Sequence, residues 1–144
     1  MSGNEVSLGL VAREHVACIM RLCEQEGWPS FLEDPDKTWR ALTAPGVITI
    51  VATSGERVLG FAQLQTDGAI QAHLSNIAVV RDQRREGIGR RLIEEAFAQS
   101  NAKRIDLVST EGAHSFYESF AHNRIPGYRI YPQYERDEQT GLPT

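Results

Sequence analysis

Cysteine is scarce: the chain holds only Cys18 and Cys23, five residues apart. They fall in a segment whose apolar spacing predicts one helix, so a disulfide between them is geometrically poor and no metal-ligand spacing is present. Both are expected to be core thiols, and no metal is expected. Long apolar runs are absent as well: nothing approaches the roughly 18 residues of a membrane helix, and no membrane role is expected. The N-terminus has no basic segment ahead of an apolar stretch, which predicts a cytoplasmic protein. Excess positive charge is also missing. The formal net charge is -4, which argues against a chain that holds nucleic acid by neutralising phosphates, so no nucleic-acid partner is expected. Repeats, low-complexity tracts and linkers rich in Gly, Pro or Ser are not found before the polar end at Glu135 to Thr144.

What is there reads as one ordinary packed domain over residues 1–144, with 41% hydrophobic and 24% charged residues. Val6 to Val11 alternates weakly, and Val16, Ile19, Met20, Leu22 and Cys23 then recur at helical spacing, predicting a strand followed by an amphipathic helix. Asp34-Pro35 supplies an N-cap residue and a first-turn proline for a second helix, stopped by Thr43-Ala44-Pro45-Gly46. From Val47 the period changes to two. Val47 to Thr53, Val58 to Gln65 and Ile70 to Val80, separated by Ser54-Gly55 and Thr66-Asp67-Gly68, predict an antiparallel meander. Ile88, Leu92, Ile93, Ala96 and Phe97 form a helical stripe, and Arg104 to Ser109 returns as a strand too distant for a hairpin, which implies parallel pairing. Ala113, Phe116, Tyr117 and Phe120 resume helical spacing, and Tyr128 to Tyr131 reads as a last strand. The fold class is α+β: a mixed, mostly antiparallel sheet with a central parallel pair and helices on both faces.

Chemistry concentrates in Arg84-Arg85-Glu86-Gly87-Ile88-Gly89-Arg90, between the end of the third meander strand and a helix start. Glycines 87 and 89 let backbone N–H groups turn toward a ligand, and the helix behind them offers unpaired donors and a partial positive charge. Arg84, Arg85 and Arg90 add side chains suited to phosphate, so a pyrophosphate is the expected guest. A Rossmann fingerprint does not fit, because Leu92 stands at the third glycine position. A P-loop does not fit either, because Arg90-Arg91 follow Gly89 where lysine and a hydroxyl residue are required.

Ile77-Ala78-Val79 ending a strand, the Q/R-x-x-G-x-G/A loop met by Arg84, Gly87 and Gly89, and Ala113 with Phe116-Tyr117 further on resemble the GNAT superfamily of N-acetyltransferases. The resemblance spans Val6 to about Phe120. It implies acetyl-CoA as co-substrate, bound in an opening between the fourth and fifth strands. The backbone of Ile77, Ala78 and Val79 would pair with the pantetheine arm, and N–H groups of Arg85, Gly87, Ile88, Gly89 and Arg90 would hold the pyrophosphate. Thr110 stands where relatives often carry an asparagine toward the coenzyme, a hydroxyl in place of an amide. Tyr117 matches the family tyrosine expected to protonate the departing sulfur. His73 matches the strand position where relatives often carry a catalytic glutamate and, in one branch, a histidine. Imidazole exchanges its proton in the neutral range, which suits a base. Alternation along the strand places His73 on one face with Ser75, Ile77 and Val79.

The resemblance implies acetyl transfer to a primary amine, with a small molecule first, a protein N-terminus or lysine second, and a non-catalytic acyl-CoA-binding regulatory module third. A homodimer is open to it. Glu26, Glu33, Asp34 and Asp36 read either as an attractor for a cationic acceptor or as a solvated acidic loop. Trp28, Phe31 and Trp39 read either as the wall of an acceptor pocket or as core. His15, His114 and His122 match no motif position and are expected at the surface or in packing. Ala121-His122 replaces the usual Gly-Phe after the tyrosine helix.

Overall fold

A computed structural model describes residues 5–144. The chain divides into two compact units, one ending at Asp106 and the other spanning Leu107–Thr144.

In the first unit the sheet order is β1 (Ser7–Leu10), β2 (Val47–Ser54), β3 (Arg57–Thr66), β4 (Gln71–Val79) and β5 (Arg104–Asp106). The first four strands pair antiparallel with their neighbours, and β4 pairs parallel with β5. The meander follows from β-branched, alternating residues broken by tight turns. In the β3–β4 turn, Asp67 Oδ1 accepts from the N–H groups of Ala69, Ile70 and Gln71 at 2.8, 2.8 and 3.2 Å. Those bonds, Ile70 and Ala69 foremost, hold its carboxyl below the usual carboxylate range.

Two helices cover one face. In α1 (Val16–Glu26), Ile19, Leu22 and Cys23 are buried, and together with Leu42 of α2 (Pro35–Thr43) they meet Val51, Phe61 and Ala78 of the sheet in one cluster. As expected, α2 begins at Pro35 with Asp34 as cap, whose carboxylate accepts from the Asp36 N–H at 3.0 Å. Buried polar groups tie α2 down: Thr49 Oγ1 donates to the Leu42 carbonyl at 2.7 Å, and Gln63 Nε2 donates to the Ala41 carbonyl at 3.1 Å. The opposite face receives α3 (Ile88–Ser100), whose Ile88, Leu92, Ile93 and Ala96 are buried. Contacts of α3 fall on β2, β3 and β4. Cys23 is fully buried and Cys18 partly so; both are free thiols.

The second unit holds one short helix, α4 (His114–Glu118), entered by a 3-10 turn over Glu111–Ala113. Two sequence expectations change here. The strand expected over Arg104 to Ser109 is only three residues long, and Tyr128 to Tyr131 forms no strand. Pro126 and Pro132 bracket that last segment and remove two backbone donors. Tyr128 and Ile130, its apolar alternate positions, are 86% and 77% exposed. The parallel pair therefore closes the order of described strands at β5.

Candidate active site

The parallel ladder is short. Gln71, Ala72 and His73 pair with Arg104, Ile105 and Asp106, and the pairing ends there. From Leu74 to Val79, β4 has a strand partner only on its β3 side among the described residues. The Val80 N–H donates to the Leu59 carbonyl at 2.8 Å. Antiparallel pairs alternate between bonded and non-bonded, so Ala78, two residues earlier, also spends its backbone groups on β3. Those of Ile77 and Val79 point outward, along the open edge.

Beyond that edge the chain turns through a 3-10 turn over Arg81–Gln83. Asp82 anchors the turn by an ion pair with Arg57 at 2.7 Å, which holds its carboxyl below the usual range. The following loop carries two residues in the left-handed region, Arg85 at φ 67° and Gly87 at φ 80°. For arginine that is an uncommon conformation of the kind that gathers at functional sites. Gly87 is the N-cap of α3 and supplies no side-chain cap. The first bond back into the helix runs from the Arg91 N–H to the Gly87 carbonyl at 3.1 Å. The N–H groups of Ile88, Gly89 and Arg90 thus precede the helix ladder, at its positive end. A Cβ built on Gly87 meets nothing within 4 Å, so the space in front of the turn is open. Such an arrangement can cradle an anion through its backbone.

The arginines differ in their engagements. Arg84 Nη2 donates to Glu26 Oε1 at 2.7 Å and Arg84 Nε to the Val79 carbonyl at 3.2 Å. Arg90 lies 3.5 Å from Glu94 one helical turn on, and Arg85 is exposed.

His73 requires a correction. Gln63 pairs with Asn76 but Leu64 pairs with Leu74, so Ser75 is an extra residue and β4 bulges there. The bulge reverses the alternation. Leu64 and Ala62 share a face, hence so do their partners Leu74 and Ile77. His73, opposite Gln65, lies on the other face with Asn76 and Ala78. Ser75 stays with His73, its hydroxyl accepting from Gln65 Nε2 at 2.8 Å, whereas Ile77 and Val79 do not. His73 is exposed and borders an open depression lined also by Gln65, Thr66, Asp67 and Asp106.

In the second unit, Thr110 precedes the 3-10 turn in extended conformation, and its carbonyl accepts the Ala113 N–H at 3.0 Å. Tyr117 lies in α4 with its ring 5.0 Å from that of Phe116, and burial raises its phenol above the usual tyrosine value. A phenol so shifted keeps its proton at neutral pH.

The acidic group between α1 and α2 is largely occupied internally. Glu26 pairs with Arg84, Glu33 with Lys37, Asp36 with Arg13, and Asp34 caps α2. Trp28 and Phe31 pack on the core cluster, Trp28 edge-on to Phe61 at 6.4 Å. Trp39 carries the Arg13 guanidinium 5.8 Å from its ring centre. His15 Nδ1 accepts the Ala12 N–H at 3.0 Å, and His122 Nδ1 lies 2.7 Å from the Phe120 carbonyl. Among the described residues no group of three or more His, Cys, Asp or Glu is arranged to hold a metal.

The sequence model of the acetyltransferase (GNAT) domain matches residues 45–121, more than half of the chain. The protein belongs to the GNAT acetyltransferase family. It is an N-acetyltransferase by that membership, and the family's co-substrate is acetyl-CoA. Solved structures share the fold. An acetyltransferase of Trypanosoma brucei is 20% identical with TM-score 0.62, covering 88% of this chain and 100% of its own. An aminoglycoside acetyltransferase from an uncultured soil metagenomic sample is 17% identical with TM-score 0.68, covering 88% and 98%. A ribosomal-protein-alanine N-acetyltransferase of Brucella melitensis biovar Abortus 2308 is 15% identical with TM-score 0.72, covering 89% and 99%. No curated protein sequence matches. No helix among the described residues is long and apolar enough to cross a membrane.

Proposed function

We propose that residues 1–144 act as one domain that moves an acetyl group from acetyl-CoA directly to a primary amine, first of all that of a small molecule. The observation that carries the donor half is the start of α3. It has no side-chain cap, follows two left-handed residues, and lies after a strand whose outer edge is unpaired. In this reading the outward backbone groups of Ile77 and the Val79 N–H hold the pantetheine arm as a neighbouring strand would, the Val79 carbonyl accepting from Arg84 Nε. Ala78, bonded to β3, contributes its place in the strand. The N–H groups of Arg85, Gly87, Ile88, Gly89 and Arg90 receive the pyrophosphate, and the Thr110 hydroxyl contacts the coenzyme.

The reaction needs a base and an acid from this chain. His73, on the β4 face that it shares with Ser75, Asn76 and Ala78, takes the amine proton. The amine nitrogen then bonds the thioester carbonyl carbon as the C–S bond breaks, and the Tyr117 phenol gives its proton to the departing sulfur. Burial raises the Tyr117 phenol, which is therefore protonated at neutral pH, as a general acid must be before it is used.

A protein N-terminus or lysine is the second acceptor class, and one solved relative is named for a ribosomal protein. Thiol release measured with polyamines, aminoglycosides, amino acids and peptides separates the classes. Turnover on small amines supports the first, turnover on peptides alone replaces it with the second, and coenzyme binding without turnover on any amine leaves the regulatory module. Homodimerisation is read from sedimentation in the same preparations.

A further inference from the structure

Glu26 violates a local rule. It is the last residue of α1, where the helix dipole leaves partial negative charge on the final carbonyls and favours a cation. The last turn of α1 contains no basic residue. The helix is firmly ended there: Gly27 takes φ 77°, its N–H reaches the Cys23 and Glu24 carbonyls, and the Trp28 N–H donates to the Cys23 carbonyl at 2.9 Å. An acidic side chain at such a point finds no opposite charge in the last turn of its own helix.

Compensation comes from 58 residues away. Arg84 Nη2 donates to Glu26 Oε1 at 2.7 Å while Arg84 Nε donates to the Val79 carbonyl at 3.2 Å. Gln25 Nε2 is a second donor to the same Glu26 oxygen, at 3.2 Å. The Glu26 side chain is 28% exposed and that of Arg84 45%, so the pair is half-screened. One guanidinium therefore joins the C-terminus of α1 to the last outward carbonyl of β4. It does so from the residue immediately before Arg85, where the backbone enters its left-handed turn.

We propose that Glu26 is a positioning residue for donor binding. It draws the Arg84 side chain toward α1, which fixes the start of the 85–90 turn and keeps that guanidinium out of the space before the α3 N-terminus, so that backbone N–H groups meet the pyrophosphate. This rests on the donor reading above. Local rules broken without a packing reason are where functional constraint is expected, and here the unfavourable charge is matched by an ion pair to the loop that the coenzyme uses.

Coenzyme A titration by calorimetry into the full chain tests it, with wild type, Glu26→Gln, Arg84→Ala, the double variant and Gly87→Val. Glu26→Gln removes a negative charge near an anion site, which by charge alone strengthens binding of a polyanion. Positioning predicts the opposite sign: about threefold weaker binding, in the range of a partly exposed ion pair. The acceptor KM and the kcat at saturating donor stay unchanged. The double variant binds no more weakly than Arg84→Ala, because the two residues act through one contact. Equal or tighter binding by Glu26→Gln, or additive losses in the double variant, overturns the proposal while leaving the donor site intact. Wild type that fails to bind coenzyme A, or Gly87→Val that binds like wild type, overturns the donor reading and this proposal with it. Chemical denaturation of each variant confirms that a folded protein is being titrated.

Discussion

His73 pairs with Asp106 on the last rung of the parallel ladder between β4 and β5. That rung is where the sheet stops being continuous on the β5 side, and two residues further on lies the β4 bulge at Ser75. The candidate base thus stands at the closed end of an open edge whose far end leads into the turn before α3.

Replacing His73 with Gln is expected to lower kcat/KM about 10²-fold and to change the acidic limb of the pH–rate profile. Coenzyme A affinity should stay at the wild-type value. An unchanged profile would remove His73 from the chemistry.

Tyr117→Phe is expected to reduce kcat by about 10² with donor affinity retained. Because burial raises the phenol, an alkaline limb caused by its ionisation lies above pH 10, the ordinary value. Single-turnover rates between pH 7 and 11 report it.

Gly60 faces β4 at close range. A Cβ there would lie 2.6 Å from the Ala78 carbonyl oxygen and 3.2 Å from the Val79 Cα. Gly60→Ala is expected to cost about 2 kcal/mol in urea denaturation and to weaken coenzyme binding, since the backbone it displaces is the stretch proposed to hold the pantetheine. Gly9→Ala, with nothing within 4 Å, serves as the control and should change donor binding little.

Burial, with a smaller contribution from the Glu26 carboxylate, pushes the Cys23 thiol up to about 12 from 9.0. The folded protein keeps the proton between those values while the unfolded chain releases it, so this group's contribution is complete below pH 9 and is lost as pH rises from 9 toward 12. The slope is at most about 1.4 kcal/mol per pH unit. Denaturation of wild type and Cys23→Ala at pH 8 to 11 should show a shallower alkaline decline in the variant.

The strands of the meander and the three long helices were legible because each carries a clean period over many residues: Val47 to Thr53 alternates, Ile88 to Phe97 repeats at helical spacing, and Asp34-Pro35 marks a helix start. The turn ahead of α3 was legible too, since Gly87 at a strand-to-helix junction marks the left-handed residue that caps the helix. The side on which His73 lies was not. A bulge adds one residue without disturbing local composition, so nothing between His73 and Ile77 announces that the alternation reverses at Ser75. The engagement of Arg84 was hidden for another reason: its partner Glu26 is 58 residues distant, and charge patterning sees only neighbours. Tyr128 to Tyr131 misled by β propensity, which reports what fits a sheet and not whether a partner strand is present.

The central claim is that the turn before α3 holds the coenzyme's pyrophosphate through its backbone, and calorimetric titration of coenzyme A into wild type and Gly87→Val tests it most directly. Valine strongly disfavours φ near 80°, and the space at Gly87 is open, so the substitution acts on backbone conformation alone. The account predicts saturable one-to-one binding by wild type and a loss of about five- to thirtyfold in the variant, from a penalty of roughly 1–2 kcal/mol for the left-handed conformation. Equal affinity in both proteins would contradict it.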